Sequence, residues 1–281
     1  MEQETTRQLI TSATVRLQKA GCDTPRLDAE VLLMHAWRID RPQLIIRMHQ
    51  SPPTAVASTF RTMIGQREDR EPVAYIIGER EFWSRTFRVS PAVLIPRPET
   101  EHLIEATLDL FPDRDHHYRF CDIGTGSGCI AVTLACEFPQ SSVMMTDLSE
   151  AALAVARKNA ERHSVTPRIE ARVGDLLSPL PREVAFDLII SNPPYVSREE
   201  IGTLAPELGF EPRGALTDEA DGQRHLHALV EDASRHLRPG GFLIVETGLC
   251  GLPTTPPSMQ LREQIFDLAT QLRGGIYQYR P

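Results

Sequence analysis

The sequence predicts an α/β chain, a Rossmann-like domain with an open sheet, preceded by a small helical bundle and a β-hairpin linker. Three features predict it. The segment Phe120-Cys121-Asp122-Ile123-Gly124-Thr125-Gly126-Ser127-Gly128-Cys129-Ile130-Ala131 is a short apolar strand that runs into a glycine loop and then a helix. A second apolar run, Ser142-Val143-Met144-Met145-Thr146, ends in Asp147. A third, Ala185-Phe186-Asp187-Leu188-Ile189-Ile190, is closed by Ser191-Asn192-Pro193-Pro194-Tyr195. At 281 residues the chain has room for one α/β domain and a smaller module.

In chain order, a helix is expected over 6–19, where Leu9, Ile10, Ala13 and Leu17 recur on one face. Another is expected over 26–37. Pro42, Pro52 and Pro53 punctuate this region, and 1–72 reads as a helical domain suited to substrate recognition. Residues 73–100 read as a β-hairpin linker with its turn near Gly78-Glu79. The α/β domain is expected over 101–281. Its strand 241–248 is followed by a Pro- and Thr-rich stretch over 249–257, an expected helix over 259–273, and room for at most one short strand in Gly274-Gly275-Ile276-Tyr277-Gln278-Tyr279. With its closing strands missing, 241–248 would be an uncovered apolar edge.

Chemistry concentrates at the three strand ends. Gly124, Gly126 and Gly128 let the backbone turn sharply and come close to a ligand. An acid about 20 residues beyond such a loop is placed to accept from the hydroxyls of a ribose. Asp147 fits that role, and the alternative for it is an N-cap of the helix beginning near 149–151. The third strand end is the most telling. Two consecutive prolines make a stiff, extended exit whose carbonyls stay free. The Asn192 amide oxygen and the Pro193 carbonyl form an acceptor pair for both hydrogens of an NH2 group, with the Tyr195 ring available to pack on its flat face.

The net charge of −8 is unevenly spread: ten Lys and Arg against eight Asp and Glu give +2 over residues 1–70, and 20 against 30 give −10 over the remainder. A protein that follows duplex DNA must neutralise phosphates, so the acidic half argues for a protein substrate and against DNA. The cysteines at 22, 121, 129, 136 and 250 include no C-x-x-C pair, and the histidine pairs His116-His117 and His225-x-His227 lack accompanying ligands, so no metal is expected. No apolar run reaches the length of a membrane span, and Met1-Glu2-Gln3-Glu4 is acidic where a signal peptide would be basic, so a cytoplasmic location is expected; the chain is also expected to be a monomer.

Glycine loop, acid and Asn-Pro-Pro-Tyr occur in the order expected on strands 1, 2 and 4 of a methyltransferase sheet. Together with Pro72-Val73-Ala74-Tyr75-Ile76-Ile77-Gly78, Leu94-Ile95-Pro96-Arg97-Pro98-Glu99-Thr100-Glu101 and Phe210-Glu211-Pro212, they make the chain resemble the peptide-chain-release-factor glutamine methyltransferases. The resemblance spans roughly residues 1–248. It implies a class I methyltransferase fold, S-adenosyl-L-methionine as methyl donor, and the glutamine of a release factor's Gly-Gly-Gln loop as acceptor. It assigns the cofactor to Gly124, Thr125, Gly126, Ser127, Gly128, Asp147, Leu176 and Asn192. Substrate binding falls to Asn192, Pro193, Pro194 and Tyr195, with Asn192 and Pro193 catalytic. The alternatives are methylation of an adenine amino group or another protein glutamine, or a non-catalytic cofactor-binding scaffold. The Ile-Pro-Arg-Pro-Glu-Thr-Glu stretch and the acidic half favour the release-factor reading over adenine.

Overall fold

A computed structural model describes residues 4–182 and 184–281. It divides into two compact units, Met1–Gly78 with Pro206–Phe210, and Glu79–Ala205 with Glu211–Pro281. The first unit holds α1 (Thr6–Lys19), α2 (Pro25–Trp37), α3 (Arg41–Ile46), α4 (Thr54–Glu68) and α5 (Val73–Ile77). Thr5 and Gln8 form a reciprocal capping box that starts α1, and Pro25 at the first position of α2 places its missing N–H where no partner is needed. The apolar stripe of α1, Leu9, Ile10, Ala13 and Leu17, meets Leu32 and Leu33 of α2 and Phe60 and Ile64 of α4 in one core. A buried ion network sits beside it. Arg67 Nε donates to Asp28 at 2.8 Å and its Nη2 pairs with Glu207 at 2.9 Å, while Arg70 makes a forked contact with the same Glu207.

In the second unit, β1 (Glu79–Phe82) and β2 (Arg85–Arg88) form an antiparallel hairpin. Its turn is at Trp83-Ser84, not near Gly78-Glu79. Both turn residues have positive φ, 50° and 54°, as a two-residue hairpin turn requires. Gly78 instead caps α5 in the left-handed conformation, and 73–77 is helical because Val73, Ile76 and Ile77 pack on the helical core.

The main sheet contains β3 (Arg119–Ile123), β4 (Ser142–Asp147), β5 (Ile169–Val173), β6 (Phe186–Ser191), β7 (Leu237–Glu246), β8 (Met259–Phe266) and β9 (Leu272–Tyr279), in the order β5-β4-β3-β6-β7-β9-β8. The first five strands in that order are mutually parallel, and β9 and β8 are antiparallel additions. Alternate residues feed the two faces. Phe120, Leu188 and Ile190 meet α6 (Glu101–Leu110), α7 (Cys129–Glu137) and α8 (Glu150–Arg162) in one core, whereas Cys121, Ile189 and Val245 meet α9 (Arg224–Asp232) in the other. The connections leave β3 toward β4 on one side, and β6 lies on the other. This reversal opens a crevice at the carboxyl ends of β3 and β6.

The C-terminus corrects the sequence-based expectation. Residues 259–266 are a strand rather than a helix, and both closing strands are present, so β7 is not an edge. The local helix propensity of Gln260-Leu261-Arg262-Glu263 yields to the ladder with β9. Asp267 makes the reversal, its carboxylate accepting from the Ala269 and Gln271 amides, with Thr270 at φ 61°. Gly274 is needed against β7, since a Cβ there would lie 2.4 Å from the Val245 carbonyl oxygen. The exposed edge passes to β8, which carries Arg262 and Glu263. No helix among the described residues is long and apolar enough to cross a membrane.

Candidate active site

The crevice widens into a cavity of about 350 Å³ between the strand ends and the segment over 92–100. Its floor is the loop after β3. Gly124, Gly126 and Gly128 have φ of 69°, 55° and 79°, the region glycine enters without penalty. Gly128 also ends the loop against α8, where a Cβ would lie 3.0 Å from the Ala156 Cβ. Asn159 of α8 braces the same loop, its Nδ2 donating to the Ser127 carbonyl at 2.8 Å. Beneath it lies Asp122, fully buried, with Oδ2 accepting from the Thr125 hydroxyl and the Ala131 amide and Oδ1 unpartnered among the described residues. Burial pushes the Asp122 carboxyl up to about 7, against the opposing hydrogen bonds from Thr125 and Ala131.

Asp147 closes the next wall. Its Oδ2 accepts from the Gly126 amide at 2.9 Å and its Oδ1 from the Ser149 amide at 2.8 Å. The N-cap of α8 is Ser149, which accepts from the Ala152 amide, so Asp147 serves the glycine loop and the cavity rather than capping the helix. Each carboxylate oxygen keeps acceptor capacity for a ligand hydroxyl. Leu176 adds apolar wall and sits at φ 45°, an unusual conformation for a branched residue.

Gly124, Thr125, Gly126, Ser127, Asp147, Leu176, Asn192 and Pro194 therefore line one cavity, while Gly128, Pro193 and Tyr195 do not. Gly128 works through packing. Pro193 is buried at the strand tip. Tyr195 departs from its expected role: its ring lies against Gly248, where a Cβ would be 2.7 Å away, and its hydroxyl donates to Glu246 Oε1 at 2.9 Å. The ring face expected to cover a substrate amide has no counterpart in the cavity wall.

Two residues that sequence reasoning missed complete the tip. Asn192 Nδ2 donates to the Thr100 Oγ1 at 3.0 Å, which leaves Oδ1 as the acceptor the side chain still offers. Glu246, at the end of β7, is buried, and burial pushes its carboxyl up to about 7 against the hydrogen bond from the Tyr195 hydroxyl. Thr100 belongs to the Pro-Arg-Pro-Glu-Thr-Glu stretch, whose density of unusual residues was the available signal. That stretch is held by Glu211, which accepts from the Ile95 amide at 3.0 Å and from Arg97 at 2.6 Å.

The donor set fits a nucleoside-type methyl donor. A carboxylate stands at the end of the second parallel strand, and at Gly124 a Cβ would meet no protein atom within 4 Å, so the backbone is open to close approach. Apolar walls of Leu94, Ile130 and Leu176 flank them, and a cavity of this size suits a small cofactor.

Comparison with known proteins agrees. Residues 8–78 match the PrmC N-terminal domain family and residues 102–208 the methyltransferase small domain family. The release factor glutamine methyltransferase of Nitratidesulfovibrio vulgaris is 44% identical over 241 residues, 85% of this chain and 81% of that protein. The enzyme of the same name from Cereibacter sphaeroides is 44% identical over 240 residues, 85% of this chain and 84% of its own length. Among solved structures, the hMettl16 catalytic domain in complex with the MAT2A 3′UTR hairpin 6 aligns with a TM-score of 0.51 and 17% identity, covering 80% of this chain and 81% of that one. It shares the fold.

Proposed function

The chain belongs to the release factor glutamine methyltransferase family, and on that premise we infer that it transfers a methyl group from S-adenosyl-L-methionine to the side-chain amide nitrogen of the glutamine in a release factor's Gly-Gly-Gln loop. It is a protein-glutamine N-methyltransferase with a Rossmann-like fold. The observation that carries the site reading is the Asn192 amide, whose NH2 is engaged by Thr100 so that its oxygen is the atom left to accept at the cavity wall.

When bound, the cofactor supplies an electrophilic sulfonium methyl. The chain supplies the rest. Gly124, Thr125, Gly126 and Ser127 would give backbone room with Gly128 packing the loop on α8, Asp147 would accept from the ribose hydroxyls, and Leu176 would pack beside the adenine. An amide nitrogen is a weak nucleophile because its lone pair is delocalised into the carbonyl. In this reading Asn192 Oδ1 and the Pro193 carbonyl would accept from both N–H bonds of the substrate amide and so orient its nitrogen for transfer. Transfer of a methyl group to that nitrogen would develop positive charge on it, and these acceptors would stabilise that charge more than they stabilise the ground state. The proton leaves afterwards to solvent, so no general base is required before transfer. The helical residues 4–72 serve as the recognition surface for the protein substrate, and the enzyme works in the cytoplasm as a monomer without DNA.

The test is a labelled-methyl assay with a release factor, followed by mass spectrometry of the Gly-Gly-Gln peptide. Wild type is expected to add one methyl to the glutamine. Asn192→Ala is expected to lose about 10²-fold or more in turnover, as when an oriented transition-state contact is removed, while calorimetry shows cofactor still bound. Near-normal turnover by this variant would remove the acceptor role.

A further inference from the structure

We propose that Arg97 receives the carboxylate at the amino-acid end of the methyl donor, through guanidinium N–H groups that its pairing with Glu211 leaves free. The inference rests on the reading of the cavity as the seat of S-adenosyl-L-methionine.

That cofactor is a nucleoside carrying an amino acid, so its two ends ask different things of a protein. The ribose needs an acceptor, and Asp147 offers one. The other end carries an ammonium and a carboxylate, and a carboxylate drawn out of bulk water needs a cation or several N–H donors. Among the described residues that line the cavity, Asp147 and Asp175 are acidic, and Arg97 is the one Lys or Arg. A ligand carboxylate would be repelled by the first two and attracted by the third.

Arg97 is held in place by one partner and left open on the rest of its donors. Its side chain keeps 29% exposure, whereas that of Glu211 keeps 2%. Glu211 Oε1 accepts from Arg97 Nη2 at 2.6 Å and Oε2 accepts from the Ile95 amide at 3.0 Å, so one buried carboxylate fixes both the guanidinium and the backbone two residues before it. A guanidinium carries five N–H donors in a rigid plane, and Arg97 makes no other hydrogen bond among the described residues. It can therefore keep Glu211 and still hold a second carboxylate, which a lysine ammonium does less well. Its place along the cavity agrees with this role. Thr100, three residues on, accepts from Asn192 Nδ2 at 3.0 Å, so the turn bearing Arg97 adjoins the strand tip read as the methyl-transfer end. Asp147 and Leu176 mark the nucleoside end.

The test is calorimetry on the full chain without any acceptor protein, using two probes. One is S-adenosyl-L-homocysteine; the other is its decarboxylated analogue, which keeps the nucleoside, the sulfur and the ammonium. Wild type is expected to bind the first about 10- to 100-fold more tightly, the range of a hydrogen bond to a charged group. Arg97→Met is expected to hold the decarboxylated probe within about threefold of wild type while its preference for the carboxylate falls to about threefold or less. Because this variant strands the buried Glu211, the double variant Arg97→Met/Glu211→Gln repeats the measurement with that charge removed. Arg97→Lys, which keeps a charge beside Glu211, is expected to show an intermediate preference. If Arg97 only supported the cavity wall, both probes would weaken equally. Equal weakening, a preference retained in both Met variants, or a wild type that binds the two probes alike overturns the proposal. A retained preference together with a raised KM for the release factor would assign Arg97 to the acceptor instead. Failure of the cofactor reading looks different, since wild type then binds neither probe.

Discussion

Replacing Gly128 and Gly124 by alanine separates what the glycine loop does for the fold from what it does for the ligand. Both residues have φ near +70° to +80°, so each alanine incurs about 1–2 kcal/mol for entering the left-handed region. Both gain back about 0.4–1 kcal/mol from a less flexible unfolded chain. They differ in surroundings. At Gly128 the new methyl would lie 3.0 Å from the Ala156 Cβ and 3.2 Å from its Cα, while at Gly124 it meets nothing within 4 Å. Overpacking of this kind adds about 1–3 kcal/mol. The expected losses are therefore about 3 kcal/mol for Gly128→Ala and about 1 kcal/mol for Gly124→Ala. Binding should show a different pattern. The Gly124 methyl would stand at the cavity wall and weaken cofactor binding about tenfold, ~1.4 kcal/mol. Trp83 lies in the second unit and Trp37 in the first, so urea unfolding followed by fluorescence in a Trp37→Phe background reads the second unit alone. Calorimetry gives the cofactor affinity. Equal destabilisation by the two variants, or wild-type affinity in Gly124→Ala, would refute this division of labour.

Arg67→Ala should destabilise the helical unit by about 3–5 kcal/mol, because it strands the buried Asp28 and removes one partner of Glu207, whereas Arg16→Ala, which breaks the more exposed pair with Glu68, should cost about 1 kcal/mol or less; urea unfolding followed through Trp37 measures both. The Asp122 carboxyl is raised from 3.8 to about 7, so the folded state keeps a proton that the unfolded chain releases, and its contribution is full below about pH 4, is lost as pH rises toward about 7, and is flat above. Asp122→Asn removes that dependence, so its stability relative to wild type should improve by up to the order of 4 kcal/mol between about pH 4 and 8; a constant difference in urea midpoints across this range would contradict the assignment. Deleting residues 272–281 removes β9, which opens the β7 edge opposite β6 and leaves β8 without its pairing strand; the product is expected to aggregate, seen as a high-molecular-weight fraction in size-exclusion chromatography that the full chain lacks.

Much of the fold was legible because the relevant signals are local. The face of α1 is written in the spacing of Leu9, Ile10, Ala13 and Leu17, and α1 spans the expected 6–19. The strand, glycine loop and helix at 120–131 likewise follow from apolar runs and from conformations that glycine enters most readily. The hairpin turn was misjudged because Gly78 has two uses, and the core contacts of α5 made it a helix cap. The closing strands were misjudged because 259–266 carries helix-forming residues and becomes a strand only by pairing with β9.

The chain alone determined the kind of chemistry on offer: glycines for close approach, an acid about 20 residues on, and an Asn-Pro-Pro-Tyr tip with free acceptors. Tertiary structure decided which of those atoms are presented. Asn192 meets Thr100 across 92 residues of chain and Tyr195 meets Glu246 across 51. Hydrogen bonds between residues so far apart leave no periodicity or turn signature. They exist because a parallel sheet brings the carboxyl ends of β6 and β7 side by side, and because Glu211 holds the segment before α6 by Ile95 and Arg97. Local pattern selects residue types, and burial with long-range pairing then assigns each polar atom its partner.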